Sequence, residues 1–192
     1  MNMPISLIVG LGNPGAEYHG TRHNVGADFT EALARRQGVR LMAESKFHGL
    51  CGRILLNDRP IRLLIPTTFM NLSGRAVAAM ADFYKISPDS ILVVHDELDL
   101  SSDTVRLKIG GGHGGHNGLR DIIKSLNNKN FPRLRIGIDH PGNANRVSAY
   151  VLSKPSIDQR ASIDCGTSRA FDILPQLTSG EWDQAMKTLH TQ

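Results

Sequence analysis

The sequence predicts an α/β fold: one domain over residues 1–192, a single-domain three-layer sandwich with a mixed, mostly parallel twisted sheet flanked by helices. Three observations lead there. Apolar runs of strand length recur up to residue 152, helical periods separate several of them, and beyond residue 155 the pattern is helical alone. At 192 residues the chain can bury one substantial core and is short for two.

Taken in order, the strands are "ISLIVGL" (5–11), "GRILL" (52–56), "IRLLIP" (61–66), "SILVVHDEL" (90–98), "TVRLKI" (104–109), "RLRIGI" (133–138) and "VSAYVL" (147–152), each rich in β-branched and aliphatic residues. A first helix follows Thr21 as its cap and presents Val25, Phe29, Ala32 and Leu33; a second follows Ser73, with Val77, Met80, Ala81 and Tyr84 on one face. Leu119, Ile122, Ile123 and Leu126 form a third stripe. In "TSGEWDQAMKTLH", Thr178 and Glu181 have capping-box spacing ahead of a face made of Trp182, Ala185, Met186 and Leu189. In such folds ligands sit beyond the carboxyl ends of strands. Asn13, the pair His95 and Asp96, and the glycine stretch "IGGGHGGHNG" (109–118) all fall at such ends.

Composition narrows the function classes. The two cysteines, Cys51 and Cys165, lie far apart without metal-ligand spacing and read as buried small hydrophobes. No apolar run reaches the ~20 residues of a membrane span and no leader pattern opens the chain, so a soluble cytoplasmic protein is expected. The net charge of +4 is unevenly placed. Residues 1–100 balance ten basic against ten acidic side chains, residues 151–192 carry four against five, and residues 101–150 carry eight against three. A local excess of this kind points to an anionic partner, nucleic acid first, with a merely solvated basic face as the alternative.

"GLGNPG" (10–15) matches a dinucleotide fingerprint, but Pro14-Gly15 makes a turn where a helix should open, and no second strand with a ribose-binding acid follows. His23 lies at the first turn of the first helix, whose positive end disfavours imidazolium and keeps the ring able to accept a proton. Asp96 is a candidate to orient it. Asn13, Asn71 and Asn117 each read in isolation as turn or cap residues, yet three carboxamides at three loop ends would suit reading a peptide backbone, since each offers a donor and an acceptor. His113, His116 and His140 invite a metal, but no H-E-x-x-H or Cys/His cluster supports one, and none is expected. The six glycines read as a place where bulk is forbidden and a ligand comes close to the backbone.

Together, "LIVGLGNPGAEYHGTRHNVG", "TTFMNLSG", "VVHDELDL" and "KIGGGHGGHNGL" resemble bacterial peptidyl-tRNA hydrolases from the first strand to "VLSKP" near residue 155. The resemblance implies a monomeric, cytoplasmic, cofactor-free and metal-independent enzyme. Its reaction would be hydrolysis of the ester between a peptide and the 3′ end of tRNA, with the acceptor stem and 3′ end as partner and no membrane. By motif, the essential histidine falls on His23 and its aspartate on Asp96, with Asn13 beside them. Tyr18, Met70, Asn71, His116 and Asn117 fall on substrate-binding positions, and Lys108 and Arg135 on a phosphate clamp. One departure is "GID" where the family commonly reads Gly-Ile-Gly, so Asp139 sets an acid beside the basic region. A related fold without activity, serving only as an RNA-binding module, is the rival expectation.

Overall fold

The first strand sets the layering. In the computed structural model, which describes residues 3–191, β1 (Leu7–Gly10) is buried on both faces, with Ile8 facing one core and Leu7 and Val9 the other. Alternation with period two is the strand signature. It continues in β5 (Ile91–Glu97), where Leu92 and Val94 share the side of Ile8, and Ile91 and Val93 that of Leu7.

Seven strands among the described residues form one sheet in the order β2-β3-β4-β1-β5-β7-β6. The centre, β4 (Arg59–Pro66), β1, β5 and β7 (Pro132–Gly137), is parallel. At the margins β2 (Met42–Glu44) and β3 (Gly49–Leu56) join β4 antiparallel, and β6 (Val105–Ile109) joins β7 antiparallel. One face is covered by α1 (Val25–Arg36), α5 (Ile157–Thr178) and α6 (Trp182–His190), whose Phe29, Leu33, Ile173, Leu177 and Trp182 belong to the first core. The other is covered by α2 (Ser73–Tyr84) and α3 (Asn117–Leu126), through Val77, Met80, Leu119 and Ile122. Helix, sheet, helix is therefore the architecture, as expected.

Some local expectations need correction. Residues 147–152 are not a strand: Val147–Val151 is a short helix, α4. The outer side of the edge strand β6 is met by α6, whose His190 Nε2 accepts the Leu107 N–H at 3.0 Å, and the only buried residue of the segment is Val151, so its β-branched residues have no strand to pair with. Neither Thr21 nor Ser73 caps through its side chain. Each hydroxyl donates back to a carbonyl three residues earlier, of Tyr18 and Met70, and a short 3-10 turn directly precedes each of α1 and α2. Thr178 closes α5 and its hydroxyl donates to Pro175, so the capping box with Glu181 does not form. On α1 it is Ala34, rather than the half-buried Ala32, that completes the inner face. Cys165 is exposed on α5, whereas Cys51 is buried. The last helix is tied to the start of the chain, since the Trp182 indole N–H donates to the carbonyl of Met3 at 2.7 Å.

Candidate active site

Two glycines bring the first helix onto the sheet. A Cβ on Gly26 would lie 2.1 Å from the carbonyl oxygen of Val94, and one on Gly10 would lie 2.3 Å from that of Gly26, so backbone rests on backbone. Ala27 N–H donates to Leu11 and Leu11 N–H to Val94, which pins the start of α1 to the ends of β1 and β5. The 3-10 turn Arg22–Asn24 just before α1 is carried to the carboxyl end of β5, and His23 meets Asp96 there.

The His23 Nδ1 lies 2.9 Å from each Asp96 carboxylate oxygen, and His116 Nε2 lies 2.8 Å from Oδ1 of the same group. Asp96 is buried, yet His23 and His116 hold its pKa well below the usual carboxylate range against the upward push of burial. An ionised carboxylate only accepts, so both imidazoles must present N–H to it. For His116 this agrees with its other nitrogen, which accepts the backbone N–H of Gly118 at 3.1 Å and of Leu119 at 3.3 Å as the cap of α3. With Nδ1 as the acceptor in that cap, the N–H of His116 lies on Nε2 and faces Asp96. For His23 a proton on Nδ1 leaves Nε2 bare. Burial pushes its pKa down, but the charge and hydrogen bond of Asp96 together outweigh this and raise it above 6.5.

Beneath them His95 donates from Nδ1 to the carbonyl of Asp96 at 2.7 Å. Full burial and the neighbouring His116 lower its pKa to about 3, so it stays neutral, with Nε2 lacking a partner among the described residues.

The asparagines are fixed to different degrees. Asn13 Oδ1 accepts the backbone N–H of Met70 at 2.7 Å, which turns its NH₂ away from that contact. Its backbone is clamped by Asn24, whose side chain accepts from Asn13 N–H at 2.8 Å and donates to Asn13 C=O at 3.0 Å. Asn117 Oδ1 accepts from Arg120 at 3.1 Å, again leaving the NH₂ as the available group. Asn71 is exposed on the turn Met70–Leu72.

A cleft of about 1140 Å³ joins these groups. It is lined by Asn13, His23, Met70, Asn71, Asp96, Lys108, His116, Asn117 and Arg135, so nine of the ten candidate residues share one wall system. Tyr18 is the exception: it stands outside the lining and packs edge-on against Phe69, which does line it, at 6.4 Å between ring centres. Lys108 is exposed and makes no ion pair among the described residues; Arg135 stands 3.9 Å from Glu97.

The glycine stretch differs from its sequence reading in one respect. Gly114 and Gly115 have φ of 56° and 83°, but a Cβ there would meet nothing within 4 Å, so conformation rather than crowding selects glycine. The loop is held from below by Arg133, whose guanidinium donates to the carbonyls of Gly111, Gly112 and Lys129. Arg133 and Asn24 were not singled out by the sequence, and His95 was placed at a strand end beside Asp96 but given no role. For Arg133 the signal was a charge at an inward position of a strand buried on both faces. Asp139 does not sit free beside the basic region: Oδ1 accepts from Ser102 N–H at 3.0 Å and Oδ2 from Gln159 at 2.8 Å. Its φ of 60° lies in the left-handed region, which aspartate tolerates.

His23, Asp96 and His116 also place three donor atoms within 4.8 Å, a grouping that could hold a cation. Here each is spent in the hydrogen bonds just described. The arrangement can do what an oriented imidazole does: accept a proton at Nε2 and have its charge stabilised through Nδ1 by a buried carboxylate.

Comparison with known proteins gives the same reading over almost the whole chain. Residues 7–192 match the model of the family described as peptidyl-tRNA hydrolase. The peptidyl-tRNA hydrolase of Teredinibacter turnerae is 58% identical over 192 residues, covering 100% of each chain, and that of Pseudomonas savastanoi is 57% identical over 189 residues, covering 98% of this chain and 97% of its own. The crystal structure of the Acinetobacter baumannii peptidyl-tRNA hydrolase superposes with a TM-score of 0.94 at 49% identity, covering 96% of this chain and 94% of that one. The chain belongs to the peptidyl-tRNA hydrolase family.

Proposed function

We propose that this protein cleaves the ester between a peptide and the 3′ end of tRNA with His23 as general base, oriented by Asp96. The observation that carries the proposal is the contact of His23 Nδ1 with a carboxylate held ionised, which directs a bare Nε2 to the cleft. Water attacks the ester carbonyl and gives its proton to Nε2; the imidazolium is stabilised by Asp96 and returns the proton to the departing ribose oxygen. A base so placed contributes ~10²–10⁴-fold. The NH₂ of Asn13, aimed by Met70 N–H, donates to the developing oxyanion, a kind of contact worth ~10²–10³-fold. Asn71 and Asn117 take the peptide's first amide, and Met70 and His116 shape the wall around it, with Tyr18 acting through Phe69.

Lys108 and Arg135 hold a phosphate of the acceptor stem. An aminoacyl-tRNA would bring an ammonium in place of the amide, and leaving that charge unpaired in the cleft is costly, which spares it. The groups named stand on strands, turns and a helix that pack around one sheet, which supports reading residues 1–192 as one domain; on this reading it acts as a monomer. No helix among the described residues is long and apolar enough to cross a membrane, and the place of action on this reading is the cytoplasm.

The test compares hydrolysis of N-acetyl-aminoacyl-tRNA with that of the matching aminoacyl-tRNA, with chelator present, for the wild type and His23→Ala. Cleavage of the acetylated substrate alone, reduced by ~10²-fold or more in the variant, is expected. Binding of tRNA without cleavage of either substrate would instead make the chain an RNA-binding module.

A further inference from the structure

A second hollow, of about 300 Å³, lies at the end of the sheet away from the cleft. Its rim includes Ser6 and Ser90, which directly precede β1 and β5, whereas the cleft lies beyond the carboxyl ends of those strands. Six residues of strand from Ser90 to Asp96 set the two roughly 20 Å apart. The charged groups around it are Arg53, Arg62 and Lys85, with no acidic side chain in the lining.

Arg53 and Arg62 are opposite one another across β3 and β4. Arg62 donates its backbone N–H to Ser6 on the far side, so it forms a non-hydrogen-bonded pair with Arg53, the arrangement that brings opposed side chains closest. Like charges in that position repel. No ion pair among the described residues relieves either of them or Lys85. The Arg62 guanidinium instead sits over the Tyr84 ring, 3.3 Å from its centre, and Lys85 follows in a left-handed turn at the end of α2. Asp89 stands outside the lining, where one of its carboxylate oxygens accepts from the Ser87 hydroxyl.

We propose that this hollow binds a phosphate group. Two guanidinium groups and an ammonium around one concavity match a phosphate's charge and its several acceptor oxygens, and the bound anion removes the repulsion that the strand register imposes. Two sources share this chemistry: a phosphodiester in the body of the tRNA whose 3′ end lies in the cleft, or a free phosphate or phosphate monoester.

Binding of inorganic phosphate is followed by backbone amide shifts at matched ionic strength in chloride. Saturable shifts at Ser6 and across residues 85–90 are expected, with affinity falling roughly ten-fold in Arg53→Gln, the loss of one charge-assisted contact. Lys85→Gln, exposed and outside the strands, serves if the first variant folds poorly. Absence of shifts at these amides, or equal affinity in the wild type and both variants, would overturn the proposal. KM then separates the sources. A rise of several-fold for full-length peptidyl-tRNA in Arg53→Gln, with a short 3′-terminal fragment unaffected, assigns the site to the tRNA body; unchanged KM with phosphate affinity lost assigns it to a free phosphate ester. Because the shifts need no hydrolysis, failure of this proposal is distinct from failure of the catalytic one.

Discussion

Asp96 accepts from two imidazoles that do different work. His116 is fixed at both ring nitrogens, by Asp96 and by the amides of α3, whereas His23 is held through Nδ1 alone. Replacing Asp96 with asparagine removes the charge that raises the His23 pKa and leaves burial to lower it. The acid limb of the kcat/KM profile should then move to lower pH while the plateau falls by ~10²–10⁴-fold. Stability should follow the same groups. The raised His23 pKa contributes in full below its unfolded value of about 6.5 and is lost as pH rises through the folded value; the depressed Asp96 contributes above about 3.8 and is lost as pH falls. Urea denaturation of the wild type against Asp96→Asn should show its widest gap between these limits and a narrowing above them. The residue types were legible in the sequence, because imidazole, carboxylate and carboxamide at strand ends have few structural uses together. Their contacts were not, since His23 and Asp96 are separated by 73 positions and Asn13 takes its orientation from an amide 57 positions away.

At the scale of elements, the meeting of α1 with the sheet decides where His23 stands. Gly26→Ala must push the helix away from Val94 or distort both, because the obstructing atom is backbone. Overpacking of this sort costs ~1–3 kcal/mol, and a displaced base costs rate as well. Thermal unfolding and kcat should therefore fall together, with KM for peptidyl-tRNA little changed; a loss of stability at unaltered kcat would show that the docking does not set the geometry. Period-two and helical patterns located most elements, as they are written in the residues that face the core. The misreadings arose where partners decide. "VSAYVL" has strand composition, but α6 rather than this segment meets the outer side of β6, and β2, with an exposed, exposed, half-buried pattern, offers no alternation to detect. Thr178 and Glu181 have the right spacing, but Thr178 is still inside α5.

Across the whole molecule, part of the uneven charge seen along the chain reaches one side of the cleft, because β6 and β7 carry Lys108, Arg133 and Arg135 together beside the glycine loop. Binding of tRNA there should depend on salt. A plot of log KM against log salt should lose about one unit of slope for each phosphate contact removed, so Lys108→Ala should flatten it with kcat held at saturating substrate. An unchanged slope would place the phosphates elsewhere. The legibility of this feature was partial: sequence showed the excess, while only the strand order showed that it borders the catalytic groups.

The chain's single tryptophan is buried at the seam where α6 closes over residue 3, on the face of the sheet covered by α1 and α5. Its emission should be blue-shifted and indifferent to substrate, since it is not among the residues lining the cleft. Intrinsic fluorescence is thus a clean optical gauge of whether the two ends of the chain remain together, and a dye placed at the cleft would be needed to watch the substrate arrive.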